Sequence, residues 1–142
     1  MSRSKTSSTQ KAKALTVGTF FANHGPALGL ELMGDSSGME SIIEEPTINR
    51  PGLALAGFFR YFASKRVQVA GHAELSYLRS LTAMERAAKL EALFEQHIPC
   101  LIIARGLPLP NGILDLAAKR EIPVFRTPLV TMKFINSATI AL

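Results

Sequence analysis

The stretch Pro99-Cys100-Leu101-Ile102-Ile103-Ala104 is a continuous apolar run with the length of one β-strand. Such runs are typical of strands covered on both faces, as in a parallel sheet. Two further strand signals flank it along the chain. Residues 66–70 (Arg-Val-Gln-Val-Ala) alternate with period two and predict a half-buried strand that ends at Gly71, and residues 122–126 predict another strand. The expected core residues of these strands are Val67, Val69, Leu101, Ile102, Ile103, Val124 and Phe125.

Helical patterns alternate with these strands. The predicted helices cover residues 73–81, 82 to about 96, 111–119, and 128 to the C-terminus. Thr82 is expected to cap the second helix with Glu85 at the capping-box position, Asn111 to cap the third, and Pro128 to open the last. The expected buried side of the second helix is Met84, Ala87, Ala88, Leu90, Ala92, Leu93 and Phe94. This order predicts a single α/β domain, with a mainly parallel or mixed sheet flanked by helices.

The first 65 residues give weaker signals. Thr16 is expected to cap a helix that runs to Asn23 and that the sequence His24-Gly25-Pro26 stops. The other expected elements are a strand over 28–33, a turn over 34–38, a strand over 41–45, a loop over 47–50 and a helix over 52–62.

The positive charge of the chain is concentrated at its N-terminus. The 142 residues carry a net charge of +5, of which Arg3, Lys5, Lys11 and Lys13 supply four, and the first thirteen residues contain no acid. We therefore expect residues 1–14 to form a disordered basic tail ahead of a domain over 15–142. A contact between this tail and a phosphate backbone is the alternative, but nucleic acid is not the expected partner because no basic stripe with interleaved aromatics follows.

Several classes of protein are disfavoured by the composition. No apolar run reaches the roughly 20 residues of a membrane span, and the tail lacks the apolar core of a secretory signal, so we expect a cytoplasmic protein without a membrane partner. Cys100 is the only cysteine and the three histidines have no metal-ligand spacing, so neither a disulfide framework nor a metal site is expected. We interpret Cys100 as a buried, unreactive thiol.

The turn at residues 34–41, Gly-Asp-Ser-Ser-Gly-Met-Glu-Ser, resembles a phosphate-binding loop only superficially. A P-loop has four residues between its glycines, followed by Lys and then Ser or Thr. Here the gap is three residues, and Met39 and Glu40 follow the second glycine. We interpret the segment as a turn that does not bind a nucleotide.

Polar residues follow three strands of the expected sheet. They are His72 after the first strand, Arg105 after the second, and Arg126 with Thr127 at the end of the third. Parallel sheets bind ligands beyond the carboxyl ends of their strands, and arginines suit anions. These four residues are therefore the candidate ligand-binding site. The alternative is that the arginines hydrogen-bond loop carbonyls and nearby carboxylates.

Specific motifs carry a family resemblance. The run Asn49-Arg50-Pro51-Gly52-Leu53-Ala54-Leu55-Ala56-Gly57-Phe58-Phe59 is followed by Arg66-Val67-Gln68-Val69-Ala70-Gly71 and Glu74-Leu75-Ser76-Tyr77-Leu78. Ile98-Pro99-Cys100 leading to Arg105-Gly106 comes next, and the last motif is Ile122-Pro123-Val124-Phe125-Arg126-Thr127-Pro128. In this order the motifs resemble the N-terminal domain of HPr kinase/phosphorylase, from about Thr16 to Leu142.

The resemblance implies the N-terminal part of a bifunctional bacterial regulator of carbon metabolism, which phosphorylates the phosphocarrier HPr on serine and removes that phosphate by phosphorolysis. The family's catalytic histidine and P-loop lie beyond the matched segment, so no catalytic residue is assigned in this chain. ATP and magnesium are implied only for the missing catalytic domain, and no cofactor is expected here. The family domain is similar to the substrate-recognition domain of the Mur ligases and is thought to be regulatory or architectural. The implied partners are its own catalytic domain, further copies in a homo-oligomer (the whole enzyme forms hexamers), and HPr through the missing domain.

Two other hypotheses stay open beside this one. The chain is alternatively a free-standing module that senses a small anion such as a phosphorylated metabolite, or a nucleic-acid accessory that binds through its tail. The charge-free ending, residues 135–142, is expected either of a fragment of a longer protein or of a helix that docks onto a partner.

Overall fold

A five-stranded mixed sheet forms the centre of the computed structural model, which describes residues 14–142. The strands are β1 (Glu31–Leu32), β2 (Ile48–Asn49), β3 (Val67–Ala70), β4 (Leu101–Ile103) and β5 (Val124–Arg126). Their order across the sheet is β1-β5-β4-β3-β2. Strand β1 is antiparallel to β5 and all other neighbours are parallel, which confirms the predicted α/β class. The expected disordered tail lies outside the described residues, except for its last residue.

Helices cover both faces of the sheet. They are α1 (Val17–Leu28), α2 (Gly52–Leu55), α3 (His72–Arg79), α4 (Ala83–Phe94), α5 (Ile113–Lys119) and α6 (Thr131–Ala141). Helices α2 to α5 pack with Leu101, Ile103 and Val124 on one face. Helices α1 and α6 pack with Ile102 and Phe125 on the other. Successive strand residues thus supply opposite layers, as the pleat of a strand requires.

The predicted core is confirmed. All seven expected core residues are at most 2% exposed. Burying a side chain of this size stabilises the fold by roughly 1.5–3 kcal/mol. Strand β3, however, is not half-buried as its alternation predicted, because Gln68 is also fully buried. Its amide is satisfied internally: Oε1 accepts from Asn49 Nδ2 at 2.7 Å, and Nε2 donates to the Ala63 carbonyl at 2.8 Å.

The segment before β3 departs most from the sequence expectations. The predicted strand over 41–45 is wrong, since only an isolated bridge joins Ile42 to Thr16. The predicted loop over 47–50 instead contains β2, which exists because Ile48 and Asn49 pair with β3. The expected strand over 28–33 is reduced to the two residues of β1.

Helix α2 has four residues rather than the predicted eleven. Gly57 stops it by taking a left-handed conformation, with φ at +102°. The Gly57 N–H donates to Ala54 O and the Phe58 N–H to Leu53 O, both at 2.9 Å. This is a Schellman ending, which satisfies carbonyls that the helix leaves free.

Helix α1 continues past its expected stop. Thr16 caps it as predicted, its Oγ1 accepting from the Thr19 N–H at 3.0 Å. The predicted stop at 24–26 is wrong because Pro26 lies inside the helix and removes only one N–H donor. The helix ends at Gly29, whose φ is +66°.

The later helices follow the prediction with shifted ends. The predicted capping box of α4 is confirmed, and its hydrogen bonds from Thr82 lower the pKa of Glu85. Met84 and Ala88 are wrong as buried residues because both are exposed, Met84 to 83%. Helix α5 is preceded by Gly112 in a left-handed conformation rather than capped by Asn111, and α6 begins at Thr131 rather than at Pro128.

Candidate functional site

The carboxyl ends of the parallel strands meet at one edge of the sheet. Ala70, Ile103 and Arg126 are in register across β3, β4 and β5. The residues that follow them, His72, Arg105 and Thr127, therefore lie at the same edge. The structure thus places all four candidate site residues where α/β sheets carry their ligands.

Thr127 has a hydroxyl that is engaged inside the protein. The residue is fully buried, and its Oγ1 donates to the Leu28 carbonyl at 2.6 Å. The same oxygen accepts from the Leu129 N–H at 3.2 Å. Thr127 therefore ties the end of α1 to the loop after β5.

Arg126 is partly neutralised across the sheet. Its Nη2 lies 3.6 Å from Oε1 of Glu31, the residue paired with it on β1. Its side chain is 32% exposed. One carboxylate therefore already faces the guanidinium.

Arg105 and His72 are the exposed members of the set. Arg105 has a left-handed backbone, with φ at +61°, and its N–H donates to Leu129 O at 2.8 Å. The Gly106 N–H donates to Thr127 O at 2.8 Å. These bonds fasten the loop after β4 to the loop after β5, with the Arg105 side chain in solvent. Binding of an anion by these residues stays a prediction.

Sequence reasoning assigned no role to an ion pair at the same edge. Arg50, which follows β2, donates from Nε and Nη2 to Oε2 and Oε1 of Glu74, at 3.0 and 2.8 Å. The Glu74 side chain is only 4% exposed, and its Oε1 also accepts from the Gly71 N–H at 2.9 Å. Glu74 therefore caps helix α3 and neutralises Arg50 at once. The only advance signal was the position of Glu74, three residues after a glycine that ends a strand.

Gly71 is required by close packing at this edge. Its φ of −119° is open to any residue. A Cβ at this position, however, would collide with Thr131 Oγ1 and stand 3.1 Å from Arg50 Nη2. The space beside Gly71, between Thr131 and Arg50, is consequently filled by protein atoms.

The turn after β1 is confirmed as a turn. Asp35 Oδ1 accepts from the Ser37 N–H at 3.1 Å and from the Ser37 hydroxyl, and these bonds lower the pKa of Asp35. Gly38 has φ at +85°, and a Cβ there would collide with the Glu121 carbonyl. The turn is thus held by its own side chains and packed against the chain before β5.

Cys100 is buried, as predicted, and burial raises its pKa to about 12. Between residues 14 and 142, no three His, Cys, Asp or Glu side chains are grouped so that they could hold a metal ion. No helix within that range is long and apolar enough to cross a membrane.

Comparisons with known proteins find relatives of this chain by sequence and by fold. The sequence model described as HPr Serine kinase N terminus matches residues 15–142. The HPr kinase/phosphorylase of Clostridium perfringens strain SM101 is 43% identical over 107 residues, covering 75% of this chain and 35% of that protein. The Bacillus subtilis HPr kinase/phosphorylase is 33% identical over 110 residues, covering 78% of this chain and 36% of that protein. The chain therefore spans about a third of the length of these curated relatives.

A solved structure shares the fold. It contains the CBS and DRTGG domains of the regulatory region of a Clostridium perfringens pyrophosphatase, complexed with the activator diadenosine tetraphosphate. The TM-score is 0.63 with 17% sequence identity, over 89% of this chain and 48% of that one. At this identity the likeness concerns the fold.

Proposed function

The chain belongs to the HPr serine kinase N-terminal family, and from that premise we propose that it is the non-catalytic, regulatory and architectural domain of a bifunctional HPr kinase/phosphorylase. In this proposal the catalytic domain binds ATP and magnesium and acts on the phosphocarrier HPr, in the control of bacterial carbon metabolism through the phosphotransferase system. The whole protein works as a homo-oligomer in the cytoplasm, and the domain contributes to its assembly or regulation.

One observation carries this proposal. The family match extends over residues 15–142, yet the sequence contains no Gly-x-x-x-x-Gly-Lys-Ser/Thr loop to hold the phosphates of ATP. The turn at residues 34–41 has Met39 and Glu40 where a phosphate-binding lysine and hydroxyl would be needed. Phosphoryl transfer depends on such positioning and electrostatic groups, so the chain alone is expected to be inactive.

The first experiment mixes the purified chain with HPr, ATP and magnesium and follows phosphoserine on HPr by mass spectrometry. The complete C. perfringens enzyme is the positive control. We expect no phosphorylated HPr from the chain alone. Phosphorylation above the level of a sample without the chain would overturn the non-catalytic assignment.

The regulatory part needs a second experiment. The chain replaces the matched N-terminal third of the C. perfringens enzyme, and this chimera is compared with the same enzyme lacking that third. We expect the chimera to recover the oligomeric state or the effector response that the truncated enzyme loses. A chimera that behaves like the truncated enzyme in both respects would contradict the regulatory and architectural role.

A second candidate function is the sensing of a small anion at the carboxyl edge of the sheet. The observation that favours it is the exposure of Arg105 and His72 at that edge, although Arg126 and Thr127 are already engaged. Calorimetry against phosphate, sugar phosphates and nucleotides tests it, with Arg105→Ala as the variant and exposed Arg79→Ala as the control. Absence of heat at millimolar concentrations would end this candidate.

A further inference from the structure

Exposed apolar side chains are concentrated in the chain segment that connects β2 to β3. Tyr61 is 88% exposed, Leu53 70% and Phe58 53%. All three line one cavity of about 100 Å³, together with Arg50 and Arg60. We call the surface formed by residues 49–63 the aromatic patch. Clustered exposed apolar side chains rimmed by polar ones mark interaction sites.

Positive charge lies on and beside the aromatic patch, at Arg60 and Lys89, and the charge of Lys89 is partly offset by Glu85, four residues earlier on α4. The Arg60 guanidinium carbon lies 5.2 Å from the centroid of the Tyr61 ring, close enough for a cation–π contact that orients it. The Lys89 ammonium lies beside Gly57, 3.7 Å from where a Cβ would stand. Within residues 14–142, no carboxylate forms an ion pair with Arg60 or Lys89. Arg50, by contrast, is paired with Glu74.

The backbone presents Tyr61 to solvent at an energetic cost. Its φ is +61°, a left-handed conformation that is uncommon for a bulky side chain. Such a conformation costs roughly 1–2 kcal/mol, and strain of this kind concentrates at functional sites. Because the ring is almost fully exposed, burial of the Tyr61 side chain does not compensate for this cost.

The positive charge at the aromatic patch restricts which molecule can bind there. In a symmetric pair of copies the aromatic patches would face each other and bring like charges together. The N-terminal tail is excluded on the same ground, since residues 1–13 hold four basic residues and no acid. The cavity of about 100 Å³ is smaller than the roughly 150 Å³ that holds a benzene molecule, so it admits at most one apolar side chain. Tyr and Arg are also enriched at interface hot spots, and Phe is enriched at the cores of interfaces.

We propose that the aromatic patch is a docking surface for a separate protein that presents an apolar side chain flanked by carboxylates. The apolar side chain enters the cavity beside Leu53, Phe58 and Tyr61, and the carboxylates pair with Arg60 and Lys89. This inference does not depend on the proposed function and is tested without HPr or nucleotide.

The test is a nitrogen-15 NMR titration of the chain with three synthetic peptides. The probe is acetyl-Glu-Glu-Phe-Glu-Glu-amide, with a charge-reversed Lys-Lys-Phe-Lys-Lys peptide and an anchor-free Glu-Glu-Gly-Glu-Glu peptide as controls. We expect the probe to shift resonances of residues 49–63 with a dissociation constant on the order of 1 mM, as suits one anchored side chain. Both control peptides are expected to bind at least about tenfold more weakly, a loss of about 1.4 kcal/mol.

Matched variants decide the outcome. Tyr61→Ala and Arg60→Glu are expected to weaken the probe at least about tenfold, whereas Met132→Ala, exposed on α6, leaves it unchanged. The proposal is overturned by shifts elsewhere on the chain, by equal binding of all three peptides, by variants that bind normally, or by no shift at 5 mM probe, about five times the expected constant. Sedimentation of the chain adds a further arm: a dimer that Tyr61→Ala dissociates would assign the surface to a second copy instead.

Discussion

The sheet centre and the aromatic patch are both rich in apolar residues, yet the fold treats them in opposite ways. Strand β4 lies between β5 and β3 and is covered by helices on both faces, so Leu101, Ile102 and Ile103 are buried. The aromatic patch directly follows β2, which is a strand at the edge of the sheet. Helix α2, within the patch, buries Ala54 and Leu55 but exposes Leu53. Burial here is decided by how many layers meet a segment and not by its composition.

The largest expected effect concerns the Cys100 thiol in the sheet centre. With a pKa of about 12, roughly one thiol in 10,000 is ionised at pH 8, against about one in four for an ordinary cysteine. Since the thiolate is the nucleophile, we expect alkylation by iodoacetamide to be on the order of 1000-fold slower in the native chain than in denaturant. Mass spectrometry over time measures both rates. Comparable rates would mean that water reaches the sheet centre.

A deletion of equal chemistry in each region tests the contrast directly. Ile102 is fully buried, and Ile102→Ala is expected to lower the free energy of unfolding by about 2–5 kcal/mol through lost burial and a new cavity. Leu53→Ala, at a side chain that is 70% exposed, is expected to change it by less than about 0.5 kcal/mol. Denaturant unfolding of both variants gives the comparison. Similar losses at the two sites would show that the aromatic patch is part of the core.

The same contrast explains which elements of the fold can be predicted from the sequence. Strands β3, β4 and β5 are predictable because their apolar patterns are local and continuous. Strand β2 is not, because its two residues become a strand only by pairing Ile48 with Val67. The early end of α2 is not predictable either, because a glycine in a helical pattern stops the helix only where the backbone takes a left-handed conformation, as Gly57 does.

In the candidate site, the positions of the residues could be predicted from the sequence, but the partners of their side chains could not. That His72, Arg105 and Thr127 follow neighbouring strands could be predicted, since parallel strands end at one edge. The partners of the side chains could not. Thr127 bonds Leu28, which is 99 residues away, and Arg50 bonds Glu74, 24 residues away. Such pairings depend on the assembled sheet and leave no mark in a single sequence.

The ion pair between Arg50 and Glu74 joins the aromatic patch to helix α3. Arg50→Ala is expected to cost about 1–3 kcal/mol, because the buried carboxylate keeps only the Gly71 N–H as a partner while the lost arginine was partly exposed. A double-mutant cycle with Glu74→Ala is expected to give a coupling of about 1 kcal/mol or more. The pair of Arg66 with Glu45 is the control, since both side chains are 36% or more exposed, and its expected coupling is below about 0.5 kcal/mol. Equal coupling energies in the two cycles would mean that the burial of Glu74 does not strengthen its ion pair with Arg50.

The smallest effect is expected within the patch itself, between two adjacent aromatics. Tyr61→Ala is expected to leave the free energy of unfolding within about 0.5 kcal/mol of the parent chain, because its ring is exposed. Phe62→Ala is expected to lower the free energy of unfolding by more than about 1 kcal/mol. Phe62 packs on the core, and its ring meets the Phe59 ring edge to face, with the ring centroids 5.9 Å apart. Thermal unfolding of both variants measures the difference. A large loss of unfolding free energy in Tyr61→Ala would mean that the ring stabilises the fold, and this stabilisation would then account for the strained backbone at Tyr61. A negligible loss means that the ring contributes little to folding stability, and any binding that Tyr61→Ala abolishes can then be attributed to the surface rather than to the fold.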